Sequence, residues 1–325
     1  MQVEIFSQAR EPARPDTNED AVVVLPGRAY AVIDGVTDRN GTRYDGMLAG
    51  RYAARLVAAA LERGLPADIT EVVPVLTRVL RDAYHRHGVV LDATSWGGRM
   101  CCTLALAMPS DEFLDVLLVG DSGIRLNGTK VLQMHKDLDL ITALLRRSAW
   151  HRIAETVSDP LTRETLSRRV AFHGVAQDTG AFPVLLDLAA IGAEAAAACR
   201  AALPHVGRAD IDFLLGRGIV DGQGEFQNRT DSALGYACLD GLPVPDSLIR
   251  IARFARADIH QIELFTDGYF RPAPGFGIAA WEADFAATEC EDPHKIGRFL
   301  SVKGSVPGRW SDDRTYLGVR FDGLV

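Results

Sequence analysis

Six aspartates stand where short apolar runs begin or end. Asp34 follows directly on AYAVI, Asp121 on LDVLLVG and Asp267 on IELFT, while Asp20 precedes AVVVL and Asp312 and Asp313 precede RTYLGVRF. A carboxylate at a strand end sits on a rigid element at the water boundary, so it can be aimed at a shared point without full desolvation. Several such groups converging would repel one another, and a divalent cation that prefers hard oxygen ligands, Mg2+ or Mn2+, is the common remedy. Aspartate followed by glycine or serine is also an ordinary turn former. Among 43 acidic residues some will fall at strand ends by chance, so spacing alone leaves both a metal centre and plain turns open.

The elements that must position these residues are legible from hydrophobic period. DAVVVL and AYAVID, separated by PGR, read as a hairpin. From Tyr44, Met47, Leu48, Tyr52, Leu56 and Leu61 recur at helical spacing until Gly64, and a second helix follows Asp68-Ile69-Thr70 with Val72, Val75, Leu76, Val79, Leu80 and Tyr84 on one side. Residues 97–132 return to closely spaced strands: MCCTLALAM, LDVLLVG, IRLNG and TKVLQM. This is an antiparallel meander. Residues 138–203 are rich in helix formers, YACLDG and QIELFTDGYF read as strands, a helix is expected over 279–285, and DRTYLGVRFDG closes the chain as a strand. No repeat and no long Pro/Gly/Ser linker appears, so the expectation is one α+β domain over 1–325 carrying a helical insertion at 135–217.

Composition narrows the function classes. The 325 residues carry 35 Lys and Arg against 43 Asp and Glu, a formal charge of −8, and no basic run that would attract a nucleic-acid backbone. No stretch resembles a secretory leader or a membrane span, which leads to the expectation of a cytoplasmic protein without membrane partners. Five cysteines without a C-x-x-C pair read as reduced, buried thiols. None has Arg six residues on, which closes the thiolate-phosphatase route, and neither a G-x-S-x-G elbow, a phosphate-cradling glycine loop nor an H-E-x-x-H zinc pattern occurs. His85 and His87 near a helix end suit the helix dipole better than a metal.

Taken in order, Asn18-Glu19-Asp20, Asp34-Gly35, Gly120-Asp121-Ser122, Asp267-Gly268 and Ser311-Asp312-Asp313 resemble the motifs of the metal-dependent PP2C-type Ser/Thr protein phosphatases, the PPM family. The resemblance spans residues 14–132 and 262–321 and leaves the central helical segment uncovered. It implies a four-layer α/β/β/α sandwich of two antiparallel sheets with two Mg2+ or Mn2+ ions at one edge. It further implies that Asp34 bridges both ions, that the Gly35 carbonyl binds one, and that Asp267 and Asp312 complete the other. Glu19 and Asp20 would act through bound water, Asp121 would serve an auxiliary ion, and Arg14 would clamp the substrate phosphate. Asp313 would take the place of a turn-bonding Asn.

The implied activity is hydrolysis of phosphoserine or phosphothreonine in a protein or peptide. A binding module that has lost turnover and a phosphatase of a small metabolite are the alternatives. The sequence departs from the family in three places. Val36 stands where many relatives have a His, leaving Asp38, His135 or water to protonate the leaving group. Arg271 replaces an acid four residues after Asp267, and Arg14 lies one residue further from Asp20 than is usual.

Overall fold

The computed structural model describes every residue except Asp38, Asp92, Ala93, Ser95, residues 177–185 and residues 322–325. Asp38, a candidate proton donor, therefore lies outside the described residues. The chain divides into two units, one of Met1–His135, Ala237–Ala287 and Asp312–Val325, the other of Lys136–Tyr236 and Thr288–Ser311.

The first unit contains β1 (Gln2–Gln8), β2 (Ala21–Leu25), β3 (Ala29–Ile33), the short pair β4 (Arg43–Tyr44) and β5 (Met47–Leu48), and helices α1 (Ala49–Arg63) and α2 (Val72–Arg86). Next come β6 (Leu104–Pro109), β7 (Phe113–Val119), β8 (Gly123–Leu126) and β9 (Lys130–Leu132). The second unit supplies α3 (Asp137–Ala154), α4 (Pro160–His173), α5 (Leu188–Ala202) and α6 (Arg208–Gly222). The chain then returns through β10 (Ile249–Ala255), β11 (Gln261–Phe265), α7 (Ile278–Glu291) and β12 (Arg314–Arg320).

Two five-stranded antiparallel sheets result, ordered β1-β12-β11-β8-β9 and β10-β7-β6-β3-β2. Side chains alternate along each strand, so each sheet sends one set of residues to each face. Val32, Ala105, Val116 and Leu118 meet Ile124, Leu126, Leu264, Leu317 and Val319 in the core between the sheets. Leu104, Leu106, Leu117 and Val119 face the other way and are covered by Val57, Leu61, Leu76 and Leu80 of α1 and α2. On the outer face of the other sheet, fully buried Trp281 of α7 packs on Phe265 and Tyr316 at ring separations of 4.9 Å. Each such side chain stabilises the fold by roughly 1.5–3 kcal/mol. Helix, sheet, sheet, helix is the layer order, and the α+β sandwich expected from the sequence is the fold.

Beneath α7 the buried Arg125 guanidinium meets Glu263 bidentately at 2.6 and 2.7 Å, and Glu263 also accepts from Trp281 Nε1 at 2.8 Å and Tyr316 Oη at 3.1 Å. Every carboxylate oxygen is thus satisfied, the condition under which a buried pair survives its desolvation cost and fixes one register of helix on sheet.

Four details differ from the sequence reading. The helix expected from Tyr44 starts at Ala49, because Asp45 and Gly46 at positive φ close a tight turn between β4 and β5. β1 and β10, both edge strands with mixed exposure, carry too little alternation to stand out. YACLDG forms isolated bridges rather than a strand, one joining Leu239 to Cys102.

Finally, Cys101 and Cys238 form a disulfide, which corrects the expectation of five reduced thiols. Cys102 N donates to Leu239 O and Leu239 N to Cys102 O, both at 3.0 Å, and this pairing of segments far apart in sequence is what brings the two sulfurs together. Cys102, Cys199 and Cys290 stay free.

In the second unit, α3 to α6 bury Leu145, Val170, Ile191, Cys199 and Leu214. Arg146 is completely buried there, paired with Glu164 and donating to the carbonyls of His294 and Ser301. Beyond the segment 135–217 this unit takes in the chain up to Tyr236 and residues 288–311.

Candidate metal centre

Three strand ends in the first unit deliver three carboxylates to one place. Asp34 leaves β3, Asp121 leaves β7 and Asp267 leaves β11, and one oxygen from each lies within 4.8 Å of the other two. If all three are ionised, each pair repels by on the order of 3 kcal/mol at an effective dielectric of 20. A bound cation would relieve that repulsion, and an all-oxygen donor set suits a hard divalent ion. The residues therefore fit Mg2+ or Mn2+.

The backbone around Asp34 is held from both sides. Its carbonyl accepts from Thr103 N at 2.8 Å, and Val36 N donates to Cys101 O at 2.9 Å. Between them Gly35 has no room for a side chain, since a Cβ would lie 2.6 Å from Gly50 O and 2.7 Å from Glu19 O. The first turn of α1, the Glu19 backbone and the Asp34-Gly35 segment can converge only on a glycine. Gly268 is equally enclosed, because a Cβ there would meet Asp313 O at 1.9 Å.

Asp121 is buried, and its carbonyl accepts from Gln133 Nε2 at 2.9 Å. The neighbouring Ser122 hydroxyl bonds Thr103 at 2.9 Å, tying β7's end to the strand beside Asp34. Sequence reading gave Asp121 an auxiliary ion, and its carboxylate lies together with those of Asp34 and Asp267. The signal was available in its strand-end position, which matches that of Asp34 and Asp267.

Asp20 and Glu19 are buried next to β12. Asp20 Oδ2 accepts from Thr266 Oγ1 at 2.9 Å, while its Oδ1 has no hydrogen-bond partner. Burial, aided by the charges of Asp313 and Asp267, holds the Asp20 carboxyl well above the usual range. Asp313 accepts Arg10 N at 2.6 Å and Glu19 N at 2.8 Å, so this carboxylate organises backbone. Asp312 is partly exposed, accepts from Asp313 N at 3.2 Å, and stands outside the triple.

Arg14 lies in the loop after β1 with its side chain 62% exposed, 3.6 Å from Glu11. Arg271 is paired with Asp284 of α7 at 2.8 Å, a structural contact in place of an acid. His135 is exposed.

No protein-family model and no curated protein matches the chain. Among solved structures it is similar to the serine/threonine phosphatase Stp1 of Staphylococcus aureus, with 11% identity over 99% of this chain and 96% of that one and a TM-score of 0.45. It is also similar to the serine/threonine phosphatase PstP/Ppp of Mycobacterium tuberculosis, with 15% identity over 99% and 98% and a TM-score of 0.45. A third is PppA of Pseudomonas aeruginosa, with 14% identity over 98% and 96% and a TM-score of 0.44. A structure of the PstP catalytic domain, also 15% identical over 99% and 98% with a TM-score of 0.45, is described as a complex with two manganese ions. No helix among the described residues is long and apolar enough to cross a membrane.

Proposed function

We propose that the chain is a metal-dependent phosphomonoester hydrolase acting on phosphoserine or phosphothreonine in proteins, with two Mg2+ or Mn2+ ions. The observation that carries this reading is the convergence of Asp34, Asp121 and Asp267 within 4.8 Å, and the motif order of the sequence supports it. In this reading Asp34, the Gly35 carbonyl, Asp267 and Asp312 are the principal ligands, Asp121 holds cation as well, and Glu19 and Asp20 act through water. When bound, the cations would lower the pKa of a water for in-line attack on phosphorus and offset the phosphoryl charge.

The chain's own residues do the rest. Thr266 Oγ1 donates to the Asp20 carboxylate and Asp313 accepts the Glu19 backbone N–H, which fixes the segment that carries both acids. Gly35 lets the Glu19 backbone approach the Asp34 segment to near contact distance. Arg14 would supply parallel N–H groups to phosphoryl oxygens on leaving Glu11, an exchange that costs little because an exposed ion pair contributes at most about 1 kcal/mol.

The test is hydrolysis of p-nitrophenyl phosphate and of a phosphothreonine peptide with Mn2+ and with EDTA, beside calorimetric Mn2+ titration of the wild type and of Asp34→Asn. The expected result is cation-dependent turnover in the wild type, with both turnover and Mn2+ binding lost in the variant. A folded wild type that binds no Mn2+ would overturn the metal centre, and Mn2+ binding without turnover would make the chain a binding module.

A further inference from the structure

We infer that the disulfide between Cys101 and Cys238 is a positioning bond of the metal centre, holding Asp34 and Asp121 at the spacing a cation needs; this rests on the metal reading of Asp34, Asp121 and Asp267. Three extended segments lie side by side in the first unit: Asp34-Gly35-Val36, Cys101-Cys102-Thr103 and Cys238-Leu239. The middle one bonds in both directions, as alternating backbone groups allow. On one side Cys101 O accepts from Val36 N at 2.9 Å and Thr103 N donates to Asp34 O at 2.8 Å. On the other, Cys102 exchanges two hydrogen bonds with Leu239, both at 3.0 Å.

The same middle segment supports Asp121. Gly120, just before it, has a φ of +85°, and a Cβ there would stand 2.6 Å from Thr103 Cγ2 and 3.4 Å from Ala237 O. Ser122, just after it, bonds the Thr103 hydroxyl at 2.9 Å. Residues 101–103 thus touch the chain beside two of the three clustered carboxylates, and the Ala237–Leu239 segment backs them. A shift of this support would alter the separations that now keep one oxygen of each acid within 4.8 Å.

The backing segment belongs to no strand, and its pairing with Cys102 is an isolated bridge between parts of the chain 137 residues apart. A segment held by so short a ladder opens locally before the fold does. Ala237 and Leu239 also pack in the apolar core under α1 and α2, and Arg99 meets Asp240 at 3.2 Å. The disulfide alone ties the backing covalently to the segment that touches Asp34. Cys101 and Cys238 are 3% and 1% exposed, so the bond is shielded from solvent thiols, which suits a lasting positioning role better than rapid exchange.

The test compares oxidised wild type, the double variant Cys101→Ala with Cys238→Ala, and wild type purified in a dithiol that is removed under nitrogen before measurement. The dithiol gives two electrons and two protons to the S–S bond, leaving two thiols and becoming a disulfide itself, so this arm breaks the bond without replacing a side chain. Calorimetric Mn2+ titration should show about tenfold weaker binding in both bond-free forms. In EDTA, hydrogen exchange at the Val36 and Thr103 amides should quicken about tenfold relative to the Leu264 amide of β11, which a general loss of stability would quicken equally. Unchanged Mn2+ affinity in either bond-free form, or equal quickening of all three amides, would overturn the positioning role. Oxidised wild type that binds no Mn2+ would overturn the metal reading itself, and this role with it.

Discussion

Asp313 accepts the backbone N–H of Glu19 at 2.8 Å with one carboxylate oxygen and that of Arg10 at 2.6 Å with the other. The start of the last strand thereby clamps both ends of the loop that carries Arg14. The neighbouring Asp312 accepts the Asp313 N–H at 3.2 Å, and under the proposed function it, not Asp313, is the metal ligand.

The division can be measured. Asp313→Asn keeps one acceptor and turns an NH2 toward the other backbone N–H, so it should lower stability by about 1–3 kcal/mol in a denaturant titration. Its Mn2+ requirement should move little. Asp312→Asn should leave stability unchanged and raise the Mn2+ concentration needed for half-maximal activity severalfold. Equal behaviour of the two variants in both assays would remove Asp312 from the ligand set.

Gly268→Ala tests how tightly the Asp267 turn is packed. A Cβ placed 1.9 Å from Asp313 O meets backbone and not a movable side chain. The turn must shift, with an expected loss of about 1–3 kcal/mol and a weaker Mn2+ affinity, because Asp267 moves with it. A variant as stable as wild type by thermal melt would show that the turn yields freely.

The buried Asp20 predicts a pH signature in cation-free protein. Its carboxyl is raised by burial first and by Asp313 and Asp267 after that. The stability it contributes is therefore complete below the ordinary carboxylate value, about 3.9, and is lost as pH rises through the raised value. In EDTA at neutral pH, Asp20→Asn should melt higher than wild type, and the gap should close as the solution is acidified. A gap that stays constant from neutral to acidic pH would mean that Asp20 is not the source.

The cysteines predict a stepwise alkylation pattern. Cys290 is exposed and should react with iodoacetamide in the native protein. Burial pushes the Cys199 thiol up to about 11 and raises Cys102 further, so both should stay unmodified until the chain unfolds. Mass spectrometry should count one adduct in the native protein, three after unfolding without reductant, and five after reduction. Five adducts on unfolding alone would show that Cys101 and Cys238 are not joined.

Much of this molecule can be read from its sequence, because the physics behind it is local. The period of apolar residues in AVVVL, AYAVI and LDVLLVG makes strands, the spacing from Val72 to Tyr84 makes an amphipathic helix, and the aspartates just past β3, β7 and β11 mark where those strands end. Other features depend on which segments become neighbours. Asp121 joins Asp34 and Asp267 because β7 and β3 flank β6 in one sheet while β11 lies in the other, and no spacing encodes that order. Cys101 meets Cys238 across 137 residues through one isolated bridge. The edge strands β1 and β10 earn their place by pairing with β12 and β7, not by their own alternation. Hydrophobic period speaks within one turn or one strand, whereas chain order in a sheet is set by the free energy of burying two faces at once, and only the folded molecule reveals it.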